Sequence, residues 1–154
     1  MIILQDTAEK LPWNFNIYTN CSQEKYNLTT GDYTVRGCEH LLAIERKRST
    51  GEIAINLGQK WKQFESEFKR MEPFPHKYLI CEFPFDDLIK FPENSGIPKK
   101  AWGKIRMNGK FLTSRLMREC DKYGIEIIFC NNKNEAQSAA YSIFKEVYEK
   151  NRPS

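Results

Sequence analysis

The stretch of sequence that decides the fold begins at Gly31-Asp32-Tyr33 and ends at Ile44-Glu45-Arg46-Lys47. Gly31-Asp32 predicts a turn between two strands, and the apolar residues from Leu41 onward predict the next strand. Alternate residues of a strand share a face, so Glu45 and Lys47 should point one way and Arg46 the other. An antiparallel meander can return Asp32 to the side of Glu45. Two carboxylates and one ammonium would then converge.

Such a group suits the hydrolysis of phosphodiester bonds. Carboxylate oxygens are the ligands that hard cations such as Mg²⁺ prefer. A bound cation polarises a phosphate and lowers the pKa of a water molecule, and a nearby lysine can orient that water or stabilise negative charge. Taken alone, these residues more often form a cross-strand salt bridge that does no chemistry. The short motif alone does not choose between these interpretations.

The flanking sequence predicts an α/β domain with a mixed sheet. Upstream, residues 2–5 predict a buried strand, residues 14–21 an extended segment, residues 22–25 a polar loop and residues 26–30 a strand. Downstream, apolar residues at helical spacing predict a helix over 60–71 whose stripe faces the core. Strands at 77–83 and 125–130 alternate with helices at 109–123, ended by Gly124, and at 134–150. This βαβα order is typical of parallel strands covered by helices.

Length and composition exclude several classes of protein. The 154 residues fit one domain, which we expect to span 1–154. The five cysteines are odd in number and form no Cys-x-x-Cys pair, so we expect free thiols in a reducing compartment. No stretch is apolar enough to cross a membrane, and the N-terminus lacks the pattern of a signal peptide. These features predict a cytoplasmic protein, or one associated with nucleoid or host-cell DNA, that is not secreted.

The net charge of +4 permits binding to nucleic acid without proving it. Residues 85–107 form a long excursion, in which we expect short helices at most. Basic side chains in this segment and next to the motif are candidates for contacts with DNA phosphates, and an aromatic among them is a candidate for stacking on an unpaired base. The candidates are Arg48, Lys99, Lys100, Trp102, Lys104 and Arg106. The alternative for Trp102, packing into the core, is as well supported.

At this point the chain resembles a known family. Gly31-Asp32-Tyr33 and Ile44-Glu45-Arg46-Lys47 are similar to the G-D-Y and V-E-R-K motifs of XPF-type nucleases of the PD-(D/E)xK superfamily. Residues 6–9, with Pro12-Trp13, are similar to the D-T-R-E motif of stand-alone prokaryotic and viral members. Residues 62–68 are similar to their R-F-E-x-E-L helix, and residues 78–82 to a strand that ends in glutamate. The resemblance covers nearly the whole chain.

The resemblance implies a restriction-endonuclease-like fold, a mixed central sheet flanked by helices, and a DNA endonuclease that uses Mg²⁺ or Mn²⁺. It makes Asp6, Asp32 and Glu45 metal-site acids and Lys47 the catalytic lysine. Glu9 would support the site, and Arg46 would face away from it. Two positions depart from the family: Ala8 replaces an arginine, and Gly51 stands where an acid usually follows the E-R-K motif, with Glu52 one place later.

Three functions therefore stay open. The chain is expected to cut branched, flap or junction DNA. Alternatives are a catalytically weak or inactive DNA-binding or scaffolding module of the same fold, and a duplex-nicking or junction-resolving nuclease of the same superfamily. The helix-hairpin-helix domains of larger relatives are not expected here. Grip on DNA would then come from this domain, from a second copy in a homodimer or from a DNA-binding partner protein.

Overall fold

The strands of the chain form one mixed sheet. The computed structural model describes residues 1–152, and within them six strands lie in the order β2-β1-β3-β4-β5-β6. The strands are β1 (Ile2–Asp6), β2 (Ser22–Tyr26), β3 (Tyr33–Val35), β4 (Leu42–Lys47), β5 (His76–Cys81) and β6 (Glu126–Phe129). The strand β3 runs antiparallel to β1 and β4, whereas β4, β5 and β6 are mutually parallel. The predicted mixed sheet is confirmed.

Helices cover both faces of this sheet. They are α1 (Thr50–Leu57), α2 (Trp61–Met71), α3 (Phe85–Ile89), α4 (Gly109–Tyr123) and α5 (Lys133–Lys150), with short 3-10 helices at Phe15–Ile17 and Lys99–Lys104. The side chain of Ser49 caps α1 by accepting the backbone N–H of Glu52 at 3.2 Å. Gly124 ends α4 in the left-handed conformation, with φ of 70°. Within residues 1–152, no helix has the length and apolar character needed to span a membrane.

The sequence predicted the second half of the chain well. The helices around residues 60–71, 109–123 and 134–150 and the strands between them are confirmed, and the 85–107 excursion contains two short helices. Phe64, Phe68 and Met71 are buried, as the apolar stripe of α2 requires. All five cysteines are free thiols, and Cys81 and Cys130 are buried.

The first half of the chain differs from the prediction. Residues 22–25, predicted as a loop, belong to strand β2, and residues 26–30 are not a strand beyond Tyr26. Residues 14–21 contain a 3-10 helix instead of an extended segment. In addition, β2 runs parallel to β1, so this part of the sheet is not a meander. The strand β2 is exposed and polar, and it forms through its ladder to β1 rather than through apolar alternation.

The alternation along β4 divides the protein into two cores. Leu42 and Ile44 face a core built with α5 and the segment around Trp13 and Phe15. Ala43 faces the other core, which α1, α2 and α4 complete. Successive side chains of a strand point to opposite faces, so the residues that follow continue this pattern. The end of β4 therefore carries charged side chains into both layers.

Candidate active site

Glu45, Arg46 and Lys47 are buried although they are charged. Their exposed fractions are 6%, 4% and 6%. The Nζ of Lys47 lies 4.7 Å from the ring centroid of Phe64 in α2, on one face of the sheet. The guanidinium carbon of Arg46 lies 5.1 Å from the ring centroid of Trp13, on the other face. Glu45 and Lys47 therefore share one face, and Arg46 points away from them.

Asp32 is fixed against the same end of β4. Its backbone N–H donates to the carbonyl oxygen of Ile44 at 2.7 Å, and its Oδ2 accepts the backbone N–H of Arg46 at 2.8 Å. Gly31, with φ of 75°, makes the turn that permits this approach, and a Cβ there would lie 3.0 Å from the carbonyl oxygen of Ile44. The structure thus brings Asp32 next to Glu45.

The electrostatics of the pair show that it lacks neutralising charge. Burial and the neighbouring carboxylate of Asp32 raise the pKa of Glu45 well above its usual value, and Lys47 offsets only part of this. Burial likewise raises the pKa of Asp32 to about 6, although hydrogen bonds from its neighbours act in the opposite direction. Two carboxylates that both titrate high because they are buried together form a site that favours a cation.

Lys47 supplies positive charge at the edge of this pair. Its Nζ lies 3.6 Å from Oε2 of Glu45 and 3.9 Å from Oε1 of Glu52. Burial alone lowers the pKa of Lys47, but the surrounding carboxylates, led by Glu45 and Glu52, raise it further than burial lowers it. Lys47 is therefore an ammonium at neutral pH. As an ammonium it can donate hydrogen bonds.

The carboxylate pair fits a hard divalent cation. Among residues 1–152, no three His, Cys, Asp or Glu side chains are grouped so as to hold a metal ion by themselves. Mg²⁺ is commonly held by one or two carboxylates and keeps several waters, so Asp32 and Glu45 would be sufficient protein ligands. A cation between them would also supply the charge that their raised pKa values show to be missing.

Asp6 occupies a different position from the pair. Its backbone N–H donates to the carbonyl oxygen of Asp32 at 2.8 Å, so the two residues are neighbours in the sheet. Its carboxylate, however, accepts the backbone N–H groups of Leu28 at 3.0 Å and Ala8 at 3.3 Å. In this arrangement Asp6 orders the loop beside the site. Its role as a metal ligand stays a prediction.

Arg46 is the centre of a buried network on the opposite face. It bonds Oε2 of Glu82 through Nε at 2.8 Å and Oε2 of Glu9 through Nη1 at 2.9 Å. Nη1 also donates to the carbonyl oxygen of Leu11 at 3.0 Å, and Nε1 of Trp13 donates to Glu82 at 2.6 Å. This network fastens residues 9–13 to the back of β4. The prediction that Glu9 and Arg46 support the site agrees with this placement and stays a prediction.

Tyr33 belongs to the same network, although the sequence did not single out its side chain. Its hydroxyl accepts the backbone N–H of Trp13 at 3.0 Å, and its ring stacks on Trp13 with centroids 4.8 Å apart. Burial, together with the adjacent carboxylate of Glu9, raises the pKa of Tyr33 far above its usual value. Two sequence signals were available for this role: Tyr33 belongs to the Gly31-Asp32-Tyr33 motif, and the alternation of β3 places it on the face of Arg46.

Two further acids, Glu67 and Glu52, border the site, and the sequence did not predict either of them as a site residue. Glu67 of α2 lies next to Glu45 and contributes to raising its pKa. Glu52 pairs with Lys47 and accepts the backbone N–H of Arg48 at 3.3 Å. A Ser49-x-x-Glu52 capping pattern marks Glu52 in the sequence, but the same pattern begins many ordinary helices.

The residues predicted to contact DNA do not reach the carboxylate pair as one cluster. Arg48 is exposed beside the site, whereas Lys99, Lys100, Lys104 and Arg106 are exposed on and after the second 3-10 helix. Trp102 is half-buried and belongs to neither core; its Nε1 donates to the carbonyl oxygen of Ile97 at 3.0 Å. The prediction that these residues bind DNA stays a prediction.

Comparison with known proteins supports the fold and identifies the family. The chain matches a solved structure of XPF from Aeropyrum pernix with a TM-score of 0.67 at 16% identity, over 96% of this chain and 65% of that one. It also matches XPF from Aeropyrum pernix in complex with DNA, with a TM-score of 0.66 at 17% identity, over 99% of this chain and 67% of that one. A sequence search of curated proteins gives no significant match.

These likenesses show that the fold is that of the XPF nuclease domain, which confirms the predicted restriction-endonuclease-like architecture. The chain spans about two thirds of the length of these XPF structures. The profile of the ERCC4 domain matches residues 5–143, which include both charged motifs, the end of β1 and all of the other strands. The chain therefore belongs to the ERCC4 domain family.

Proposed function

We propose that this protein is a metal-dependent DNA endonuclease that hydrolyses phosphodiester bonds, with selectivity for branched, flap or junction DNA. One observation carries the proposal: the buried carboxylate of Glu45 and the half-buried carboxylate of Asp32 lie together at the end of β4, with the ammonium of Lys47 3.6 Å from Glu45. Membership of the ERCC4 domain family and the likeness to XPF in complex with DNA support DNA as the substrate.

Each residue has a distinct part in this proposal. Asp32 and Glu45 would hold Mg²⁺ or Mn²⁺, with Asp6 as a candidate third acid. A bound divalent cation supplies Lewis acidity toward the phosphate and makes its bound water more acidic. Lys47, which stays protonated, donates a hydrogen bond to a phosphate oxygen or to the attacking water. The Arg46 network holds β4 in place so that these groups keep their geometry.

Cleavage assays with matched variants test the proposal. Labelled flap, fork, junction, single-stranded and duplex DNA are incubated with Mg²⁺, Mn²⁺ or EDTA. We expect cleavage with metal only, and faster cleavage of the branched substrates. Asp32→Asn should abolish turnover, and Lys47→Ala should reduce it by roughly a hundredfold to a thousandfold. Lys62→Ala, an exposed lysine of α2, should cut normally.

The same assays decide among the alternatives. If no substrate is cleaved while DNA binding is intact, the result would favour a catalytically weak or inactive DNA-binding or scaffolding module. The observation that supports this alternative is Gly51, which stands where an acid usually follows the E-R-K motif. Equal cleavage of nicked or intact duplex and of flaps would favour a duplex-nicking enzyme, and preferential cutting of four-way junctions would favour a resolvase. Sedimentation with DNA would show whether a homodimer forms.

A further inference from the structure

A cavity of about 500 Å³ opens beside the carboxylate pair, between α1 and the turn at residues 95–97. Lys47 lines it, so the cavity and the proposed site share a side chain. The other lining residues are Ser49, Gly51, Glu52, Ile55, Asn56, Lys60, Ser95, Gly96 and Ile97. Its volume falls in the range of sites that bind small organic groups.

The cavity is held open by the excursion, which rests on α1 at Gly51. A Cβ at Gly51 would lie 2.7 Å from the carbonyl oxygen of Ser95, so no other residue fits there without a shift of the turn. Ser95 is 3% exposed, and its Oγ accepts the backbone N–H of Ile97 at 3.1 Å. Trp102 holds the carbonyl oxygen of Ile97 from the other side. The far wall is therefore formed before any ligand arrives.

The lining combines apolar, amide and cationic groups. Ile55 is 44% exposed and half-buried Ile97 also lines the cavity, so both can offer apolar surface to a ligand. The side-chain Oδ1 of Asn56 is buried behind this lining and has no hydrogen-bond partner within residues 1–152. Lys60 is exposed at the rim. The one carboxylate, Glu52, is already engaged with Lys47.

We propose that this cavity receives one unpaired nucleotide of the DNA strand whose phosphate lies at Lys47. The base would lie against Ile55 and Ile97, and Lys60 would neutralise the adjacent phosphate. A stacked and paired base cannot enter a concave cavity, whereas an extrahelical one can. The inference rests on the proposed function, since it supplies a physical reason for selectivity toward DNA with unpaired nucleotides.

Binding assays in EDTA test the inference without requiring cleavage. Two duplexes of one sequence are compared, one fully paired and one with a single extrahelical 2-aminopurine nucleotide. Contact of a base with apolar side chains removes apolar surface from water, so we expect roughly a fivefold preference for the extrahelical duplex. The 2-aminopurine fluorescence should also change on binding.

Two variants with matched controls locate the preference. Ile55→Trp should fill the cavity and bring the preference close to one, while Ile89→Trp, at an isoleucine that is 48% exposed in α3 and outside the cavity lining, should keep it. Lys60→Ala should weaken binding of the extrahelical duplex more than Lys62→Ala does. Both cavity positions are exposed, so the variants should fold, and thermal denaturation checks this.

Each outcome has a definite meaning. The inference is overturned if the wild-type protein binds both duplexes equally, or if Ile55→Trp and Ile89→Trp have the same effect. A preserved preference in a protein that cuts no DNA with metal would support the cavity and refute the proposed function. Metal-dependent cleavage of DNA without any binding preference for the extrahelical nucleotide would support the proposed function and refute the role of the cavity.

Discussion

Replacement of Arg46 by methionine should destabilise the fold severely. The side chain of Arg46 is 1% exposed, and its partners Glu9 and Glu82 are 12% and 8% exposed. Methionine preserves much of the apolar stem but leaves two carboxylates buried without their cation. The variant therefore separates the charge of this network from its packing.

The magnitude follows from the burial of the partners. Removal of one member of a buried ion pair typically costs about 3–5 kcal/mol, because the remaining charge is uncompensated. The two ion pairs at 2.8 and 2.9 Å and the bond to the Leu11 carbonyl place Arg46 in that class. Against a total stability of about 5–15 kcal/mol, such a loss should lower the melting temperature by roughly 10 °C.

A surface ion pair provides the matched control. The pair Arg36–Glu24 has a similar separation, 3.3 Å, but its side chains are 48% and 49% exposed. Arg36→Met should therefore cost about 0–1 kcal/mol. Urea denaturation followed by circular dichroism at neutral pH, with EDTA present, measures both variants.

A double variant isolates the electrostatic part. Glu82→Gln removes one uncompensated charge but can still accept the indole N–H of Trp13. Arg46→Met combined with Glu82→Gln should therefore lose less stability than Arg46→Met alone. The reasoning fails if Arg46→Met costs no more than Arg36→Met, or if the double variant loses the sum of the two single losses.

Further predictions concern pH, the turn on α1 and the excursion. Folding raises the pKa of Asp32 from 3.8 to about 6. The free energy of unfolding in EDTA should therefore fall by up to about 3 kcal/mol from this group as pH rises through about 4 to 6. Asp32→Asn should flatten this pH profile, which urea denaturation measures. Gly51→Ala should lower the melting temperature, because its Cβ would lie 2.7 Å from the Ser95 carbonyl oxygen. Trp102→Phe, which loses the bond to the Ile97 carbonyl, should speed amide exchange in residues 95–97 and cost about 1 kcal/mol.

Opposite results would count against these arguments. If the free energy of unfolding rises from pH 4 to 6 equally in wild type and Asp32→Asn, burial does not destabilise the charged form of the Asp32 carboxylate. An unchanged melting temperature in Gly51→Ala would show that the turn shifts freely. Unchanged exchange at residues 95–97 in Trp102→Phe would show that the indole does not hold the turn.

The sequence predicted those parts of the protein that local patterns determine. The alternation in β4 correctly separates Arg46 from Glu45 and Lys47, because side-chain direction follows from strand geometry alone. The strong stripe of α2 and the terminating Gly124 fixed two helices for the same reason. The motif order then identified the family.

The missed features depend on tertiary structure. Nothing in the polar, exposed residues 22–26 marks a strand, since β2 exists only through its backbone pairing with β1. Glu67 lies next to Glu45, and the backbone of Ser95 packs against Gly51, although the two residues of each pair are far apart in sequence. A single sequence without these contacts gives no signal for the cavity or for Glu67, and it marks Glu52 only as a helix-capping residue.

The alternation of β4 has a consequence for how this protein tolerates change. Two neighbouring positions should fail in different ways: substitutions at Arg46 should unfold the protein, whereas a neutral residue at Glu45 should yield protein that is more stable and inactive. A screen scored by expression would then rank Glu45 variants among the best and Arg46 variants among the worst, and a screen scored by cutting would reject both. Selection for abundance alone would therefore favour the loss of Glu45, and with it the proposed activity, while it retains Arg46 and the fold.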